Sequence, residues 1–415
     1  MHSESDSNSG TTWAPRPPPA EILERLEEYF PEDDVDEPVM DAPSGDPSPA
    51  ETTADDTPKP AAEEHAPRKK SIRVVAAERH RTNPDSGAGL AALRKRNTKL
   101  WVDRLEAAPT YSQAGLERPL PSTSAASPAI ARPVFRWVRG ELIGRGSYGK
   151  VYLGLNANTG EMMAVKQVEM PQTSDDKNDP RTITIVETLK HESETLKDLD
   201  HPNIVQYLGF EETPQFMSIF LEYVPGGSIA SCLRKHGRFD EDVTMSFTSQ
   251  ILSGLEYLHS QGILHRNLKG ENILLETSGT CRISDFAIAQ RTDDIDSADA
   301  HATMQGTVFW MAPEVIDAKK GYNAKIDIWS VGCVVSEMWT GQRPWSGMEA
   351  MAVLLHVYKT KQGPPIPDDI NLSPLAKDFR QKCFAIQPDE RPTAAKLRLH
   401  PYLELPPDWE FTGFK

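Results

Sequence analysis

Cysteine is scarce in this 415-residue chain: Cys232, Cys281, Cys333 and Cys383 are scattered, and no two have a C-x-x-C spacing. That excludes a disulfide framework and a cysteine-based zinc site, and suits a reducing compartment. A run of about 18 apolar residues, the length a membrane-spanning helix needs, is also missing. The opening MHSESDSNSGTT is polar and acidic, so it does not read as a secretory leader. Positive charge is in deficit: 45 Lys and Arg face 61 Asp and Glu, for a formal net charge of −16. Without an overall basic field, nucleic acid is not the expected partner. These absences predict a soluble, cytoplasmic chain with no membrane insertion.

Proline is abundant but unevenly placed. Eighteen of the 34 prolines fall in residues 1–133, among Ser, Thr, Ala and Asp that offer little apolar surface to offset the entropy of ordering. This third is expected to be a largely disordered, low-complexity tail. Its charges are segregated: residues 21–56 carry 14 acidic side chains against Arg25 alone, and residues 68–99 carry ten Lys and Arg against Glu78 and Asp85. The two blocks are expected to fold back on each other or onto the remainder of the chain. Two segments interrupt the tail. Ile22, Leu23, Leu26, Tyr29 and Phe30 share one face of a short helix over residues 20–30, bounded by Pro19 and Pro31. Residues 90–105, LAALRKRNTKLWVDRL, form a basic stretch with interleaved apolar residues, expected to be a solvated face, with a nuclear-localisation or membrane-surface segment as the alternative.

From Phe135 onward, strand and helix patterns alternate with few prolines, over a length that buries a core without metal or disulfide. In ELIGRGSYGKVYL, Gly144, Gly146 and Gly149 form G-x-G-x-x-G between two apolar strands. Glycines there let backbone N–H groups approach phosphate oxygens. A dinucleotide fold would place a helix next, whereas Lys150–Leu155 continues as strand. In MAVKQV, Lys166 interrupts a buried strand and needs a carboxylate partner. LKHESETLKDL supplies Glu192 and Glu194, whose two-residue offset turns them to different helix faces. Farther on come ILHRNLKGENILL (263–275), CRISDFAIA with Asp285, GTVFWMAPE with Glu314, KIDIWSVGC with Asp327, and PDERPTA with Arg391.

Together these eight motifs, in order over residues 137–403, resemble a eukaryotic protein kinase. Lys269 and the WMAPE form are similar to Ser/Thr kinases, and HPNIVQYLGFE, LEYVPGGSI and GTVFWMAPEVI to the MAP kinase kinase kinase group. KKSIRVVAAERHR and the ending LELPPDWEFTGFK are similar to its fungal cell-wall-integrity member. The resemblance implies an α+β bilobal fold: a small antiparallel β N-lobe with one helix, and a larger, mainly α C-lobe. Residues 404–415 follow it as an extension.

It further implies ATP and Mg²⁺ as ligands and a MAP kinase kinase as substrate or scaffolded partner. Gly144, Gly146 and Gly149 would cover the phosphates. Lys166, held by Glu192, would reach the α- and β-phosphates, and Lys269 the γ-phosphate. Val151, Ala164 and Leu274 would sandwich adenine, with the backbone of Glu222 and Val224 along its edge and Leu221 behind. Asn272 and Asp285 would hold Mg²⁺, and Thr307 would lie near the substrate. Glu314 and Arg391 would pair in the C-lobe. Arg266 would read a phosphorylated loop, with Thr303 ahead of Ser297 as the phosphosite. Two departures stand out. Asn267 occupies the place of the catalytic aspartate, and Ala287 that of the D-F-G glycine. The expected function is a Ser/Thr kinase of impaired activity; the alternative is a pseudokinase that binds Mg·ATP and acts as a scaffold or allosteric partner.

Overall fold

The computed structural model describes residues 17–31, 35–36, 38–41, 69–82, 135–146, 148–172, 179–292, 308–316 and 321–414. The predicted basic stretch 90–105 and the expected sites Ser297, Thr303 and Thr307 lie outside them. The architecture is the expected α+β one, an antiparallel sheet region followed by a mainly helical region. Strands β3 (Trp137–Gly146), β4 (Gly149–Asn156), β5 (Met162–Glu169), β6 (Tyr207–Glu212) and β7 (Phe216–Glu222) join in the order β3-β4-β5-β7-β6. The chain divides into two compact units, one of Pro19–Glu141 with Leu153–Met163, the other of Met1–Pro18, Leu142–Tyr152 and Ala164–Lys415.

The described residues of the first unit before residue 133 are a few short pieces. Helices α1 (Pro19–Glu24) and α2 (Leu26–Tyr29) carry the predicted face: Ile22, Leu26 and Phe30 are buried, Leu23 and Tyr29 half-buried. So short a helix needs a partner, and β3 supplies one. A Cβ added at Gly140 would come within 2.6 Å of the Tyr29 carbonyl oxygen and 2.8 Å of the Phe30 ring. Strands β1 (Pro38–Asp41) and β2 (Lys69–Ser71) pair antiparallel and lead into α3 (Ile72–Thr82). The sequence reading missed this helix, whose weakly amphipathic, arginine-rich stretch gives a faint periodic signal. It buries Ile72 and Ala76, and its backbone lies against the β4–β5 turn at Gly160, where φ is 70° and a Cβ would sit 2.6 Å from the Ala76 Cα.

The opposed charge blocks meet in this unit. Arg73 Nε donates to Asp36 Oδ1 at 2.7 Å, and Arg73 Nη2 to Glu27 Oε1 at 2.7 Å. Arg79 pairs with Glu161 of the β4–β5 hairpin.

The second unit is built around α8 (Lys325–Thr340), a helix apolar on nearly all sides and therefore a core element. Only Lys325 and Thr340 of its 16 residues escape full burial, and Gly341 closes it in the left-handed conformation at φ 73°. Helix α4 (Pro180–Leu196) starts on the Asp179 side chain, which accepts from the Arg181 amide. Also in this unit are α5 (Ile229–His236), α6 (Glu241–Ser260), α7 (Pro313–Ile316), α9 (Ala350–Thr360), α10 (Pro374–Cys383) and α11 (Ala394–Arg398), with short strands β8 (Ile263–Leu264), β9 (Ile273–Leu275), β10 (Cys281–Ile283) and β11 (Gln290–Arg291).

β9 pairs with β10 and β8 with β11, which sets the two loops bearing Asn267 and Asp285 side by side. The C-terminal residues pack back: Phe414 stacks on Phe239 at 4.8 Å, and Phe411 lies 5.5 Å from Phe247. No helix among the described residues is long and apolar enough to cross a membrane.

Candidate active site

Lys166 is the centre of the site. It sits on β5 between Val165 and Gln167, is 5% exposed, and carries a charge that burial alone would extinguish. Two carboxylates hold it. Glu192 Oε2 of α4 lies 2.6 Å from Nζ, and Asp285 Oδ1 lies 2.9 Å away. Burial opposes the ammonium, but attraction from Asp285 and Glu192 outweighs it and holds the pKa above the lysine range. The choice between the two glutamates is resolved by helix geometry: Glu192 is buried, whereas Glu194 is exposed and pairs with Lys197. Burial raises the Glu192 pKa. It works the same way on Asp285, yet Lys166 prevails there and the net direction is down.

Asp285 accepts on both oxygens. Asn267 Nδ2 donates to Oδ2 at 2.8 Å, and Asn272 Nδ2 approaches the same oxygen at 3.4 Å. Asn272 Nδ2 also donates to the Asn267 carbonyl at 2.7 Å. The Asn272 Oδ1 atom, fully buried, has no hydrogen-bond partner among the described residues. An unpartnered oxygen on a side chain that touches a carboxylate suits a hard, oxygen-seeking cation. Among the described residues, no group of three or more His, Cys, Asp or Glu forms a metal site of its own. A cation here would therefore draw further oxygens from a ligand.

The loop that carries Asn267 is fixed from below by Asp327, whose structural role the sequence motif did not reveal. Asp327, fully buried on α8, accepts the His265 amide at 3.0 Å, the Arg266 amide at 2.9 Å and His259 Nε2 at 2.8 Å. Burial opposes its charge, but the hydrogen bonds from His259 and the Arg266 amide hold its pKa below the ordinary carboxylate value. His265 donates from Nε2 to the Ser284 carbonyl at 3.1 Å and accepts the Asn267 amide on Nδ1 at 3.3 Å. Arg266 and Asp285 both adopt left-handed backbone, at φ 64° and 65°, strained for non-glycine residues and held by these bonds. Arg266 donates to Gln290 at 2.7 Å and stands 5.4 Å from the Tyr322 ring. Ala287 is buried with φ outside the left-handed range, so its methyl imposes no backbone strain in this conformation.

One cleft gathers Gly146, Val151, Ala164, Lys166, Glu192, Val205, Leu221, Glu222, Leu274, Ser284 and Asp285. Its walls are apolar and its floor is the Lys166–Glu192–Asp285 cluster. Gly144 and Val224 are buried outside it, Gly149 opens β4, and Lys269 is buried in the loop after Asn267. The Glu222 carboxylate faces Arg282 at 3.0 Å. A larger cavity of about 620 Å³, lined by Tyr152, Val168, Met170, Ile185 and Phe216, contains none of the charged cluster. Away from the cleft, Arg391, fully buried, pairs with Glu314 through both carboxylate oxygens, at 2.5 and 3.0 Å.

Comparison with known proteins places this geometry in context. The family model for the protein kinase domain matches residues 137–403. The serine/threonine-protein kinase BCK1/SLK1/SSP31 of Saccharomyces cerevisiae is 41% identical over 433 residues, covering 95% of this chain and 28% of its own. The MAP kinase kinase kinase mkh1 of Schizosaccharomyces pombe is 41% identical over 416 residues, covering 97% of this chain and 35% of its own. The mitogen-activated protein kinase kinase kinase 3 of Arabidopsis thaliana is 42% identical over 320 residues, covering 77% and 47%. The chain thus spans about a third of the length of these fungal relatives. Matches covering 95% and 97% of it necessarily include much of the sequence before residue 137.

Proposed function

The chain belongs to the protein kinase family, on the serine/threonine, MAP kinase kinase kinase side, and on that premise we propose that it binds Mg·ATP in the apolar cleft above Lys166 while phosphoryl transfer to a MAP kinase kinase is impaired. The observation that carries this reading is Asn267, whose amide nitrogen faces Asp285 at 2.8 Å where a proton-accepting carboxylate would serve transfer.

In this reading Val151, Ala164 and Leu274 enclose the adenine, the backbone of Glu222 and Val224 meets its edge, and Leu221 closes the rear. The amides about Gly144, Gly146 and Gly149 cover the phosphates. Lys166, oriented by Glu192, binds the α- and β-phosphates, and Lys269 the γ-phosphate. Asn272 and Asp285 would hold Mg²⁺, a role supported by the unpartnered Asn272 Oδ1. Bound there, the metal supplies neutralisation of charge on the transferring phosphoryl group. Residues 137–403 act as the kinase domain, 1–133 and 404–415 as its flanks, and Thr303 as the phosphosite.

Asn267 nearly matches aspartate in shape but has no useful basicity. It orients through hydrogen bonds without accepting the substrate hydroxyl's proton. General-base contributions are on the order of 10²- to 10⁴-fold in rate. Because the transition state is loose, much of that residue's work is orientation, so residual turnover is consistent with the site. The second reading, a nucleotide-binding pseudokinase acting as scaffold, is favoured by the same contact, since an amide at 267 faces Asp285 and accepts no proton. Nucleotide binding by thermal shift, measured beside phosphate transfer by the native chain and Asn267→Asp, tests both. Binding with transfer rescued by the aspartate supports impaired catalysis; an ordinary native rate overturns it.

A further inference from the structure

Resting on the reading of the cleft as a nucleotide site, we propose that Asn267 loosens the dependence of nucleotide binding on a divalent cation, its amide taking the place at Asp285 that a cation must fill when residue 267 is a carboxylate. The identity of the facing atom is fixed by chemistry. A charged carboxylate has no proton to donate, so the Asn267 atom 2.8 Å from Asp285 Oδ2 is the amide nitrogen. With Lys166 on Oδ1 at 2.9 Å, both oxygens of Asp285 have a positive or donating partner.

An aspartate at 267 in the same position would set two carboxylates oxygen to oxygen. Residue 267 is 7% exposed and the Asp285 side chain 20%, so water screens little. Like charges so placed share a proton or require a cation between them. Asn267 abolishes that requirement. The backbone that carries this amide is also held in place: the Asn267 carbonyl accepts Asn272 Nδ2 at 2.7 Å, and its N–H donates to His265 at 3.3 Å. Triphosphate entering without metal meets Lys166 and a single carboxylate, Asp285, whose oxygens are hydrogen-bonded by Lys166 and Asn267, not a bare carboxylate pair. The asparagine therefore costs the transfer step and relaxes the metal requirement of the binding step.

The test is the affinity of the full chain for a non-hydrolysable ATP analogue, by isothermal titration calorimetry in EDTA and in excess MgCl₂. The native chain should bind in both, its Kd in EDTA within about tenfold of that in Mg²⁺. Asn267→Asp should bind comparably in Mg²⁺ but lose at least about tenfold more on metal removal, equivalent to about 1.4 kcal/mol. Asn267→Ala, lacking both donor and charge, should fall between, and it decides the matter if the aspartate variant does not fold. Equal metal dependence in all three overturns the proposal. No analogue binding by the native chain in either buffer overturns the nucleotide reading itself, a separate outcome.

Discussion

Asn267 Nδ2 donates to Asp285 Oδ2 across 2.8 Å, joining two loops that β8–β11 and β9–β10 pairing already hold together. The contact places a neutral donor against the carboxylate that also receives Lys166. One side chain thereby links two questions: how the cleft holds charge, and whether it moves a proton.

Lys166 is expected to be indispensable to binding. Lys166→Met leaves Glu192, 1% exposed, and Asp285 without their shared cation. Removing one member of a buried pair costs on the order of 3–5 kcal/mol. A chain with this change should melt at lower temperature and show no thermal shift with ATP. Glu194→Gln, altering the exposed neighbour, should leave both unchanged.

Asp327 should give the site a pH signature. Its folded pKa lies below the ordinary carboxylate value, so its stabilisation is fully present above the unfolded value of about 3.9 and fades as pH falls through the folded value. Asp327→Asn would lose its best acceptor for the His265 and Arg266 amides, at about 1–3 kcal/mol for each group left unsatisfied. Chemical denaturation should show the full deficit at pH 6–7 and a smaller one below about pH 4.

The Glu314–Arg391 pair is a structural anchor, separate from catalysis. Arg391 also donates to the Ala385 carbonyl at 2.9 Å and the Lys325 carbonyl at 3.1 Å. Arg391→Ala should destabilise by about 3–5 kcal/mol, seen as a lower urea midpoint. Nucleotide affinity measured well below the new midpoint should remain unchanged.

The N-terminal elements should contribute measurable stability through packing more than through charge. Gly140→Ala forces a methyl against the Tyr29 carbonyl and Phe30 ring and is expected to cost about 1–3 kcal/mol. Arg73→Ala breaks partly exposed pairs with Asp36 and Glu27 and should cost no more than about 1 kcal/mol, decreasing with added salt. Differential scanning calorimetry separates the two.

Much of this site is legible in the residues themselves. A lysine in an apolar strand demands a carboxylate; the two-residue offset puts Glu192 and Glu194 on different helix faces, the kinase resemblance points to Glu192, and burial bears it out. The periodicity of Ile22, Leu26 and Phe30 likewise matches the face that α1 and α2 bury. Other features were not legible, for physical reasons. Composition averages hide a short ordered segment such as α3, whose ordering depends on Gly160 and Glu161, distant in sequence. Asp327 looks like one charge in an apolar helix until its three donors are seen around it. That Asn267 faces Asp285, and that Asn272 Oδ1 is left without a donor, are relations between loops that spacing along the chain does not encode.

The most direct test of the central claim is the phosphoryl-transfer rate at saturating Mg·ATP for the native chain and Asn267→Asp, each with its nucleotide Kd in Mg²⁺. An intact nucleotide site limited at residue 267 predicts similar Kd values and a rate at least about 100-fold higher for the aspartate form. A native rate already in the ordinary range of about 1–100 s⁻¹, unchanged by the substitution, would contradict it.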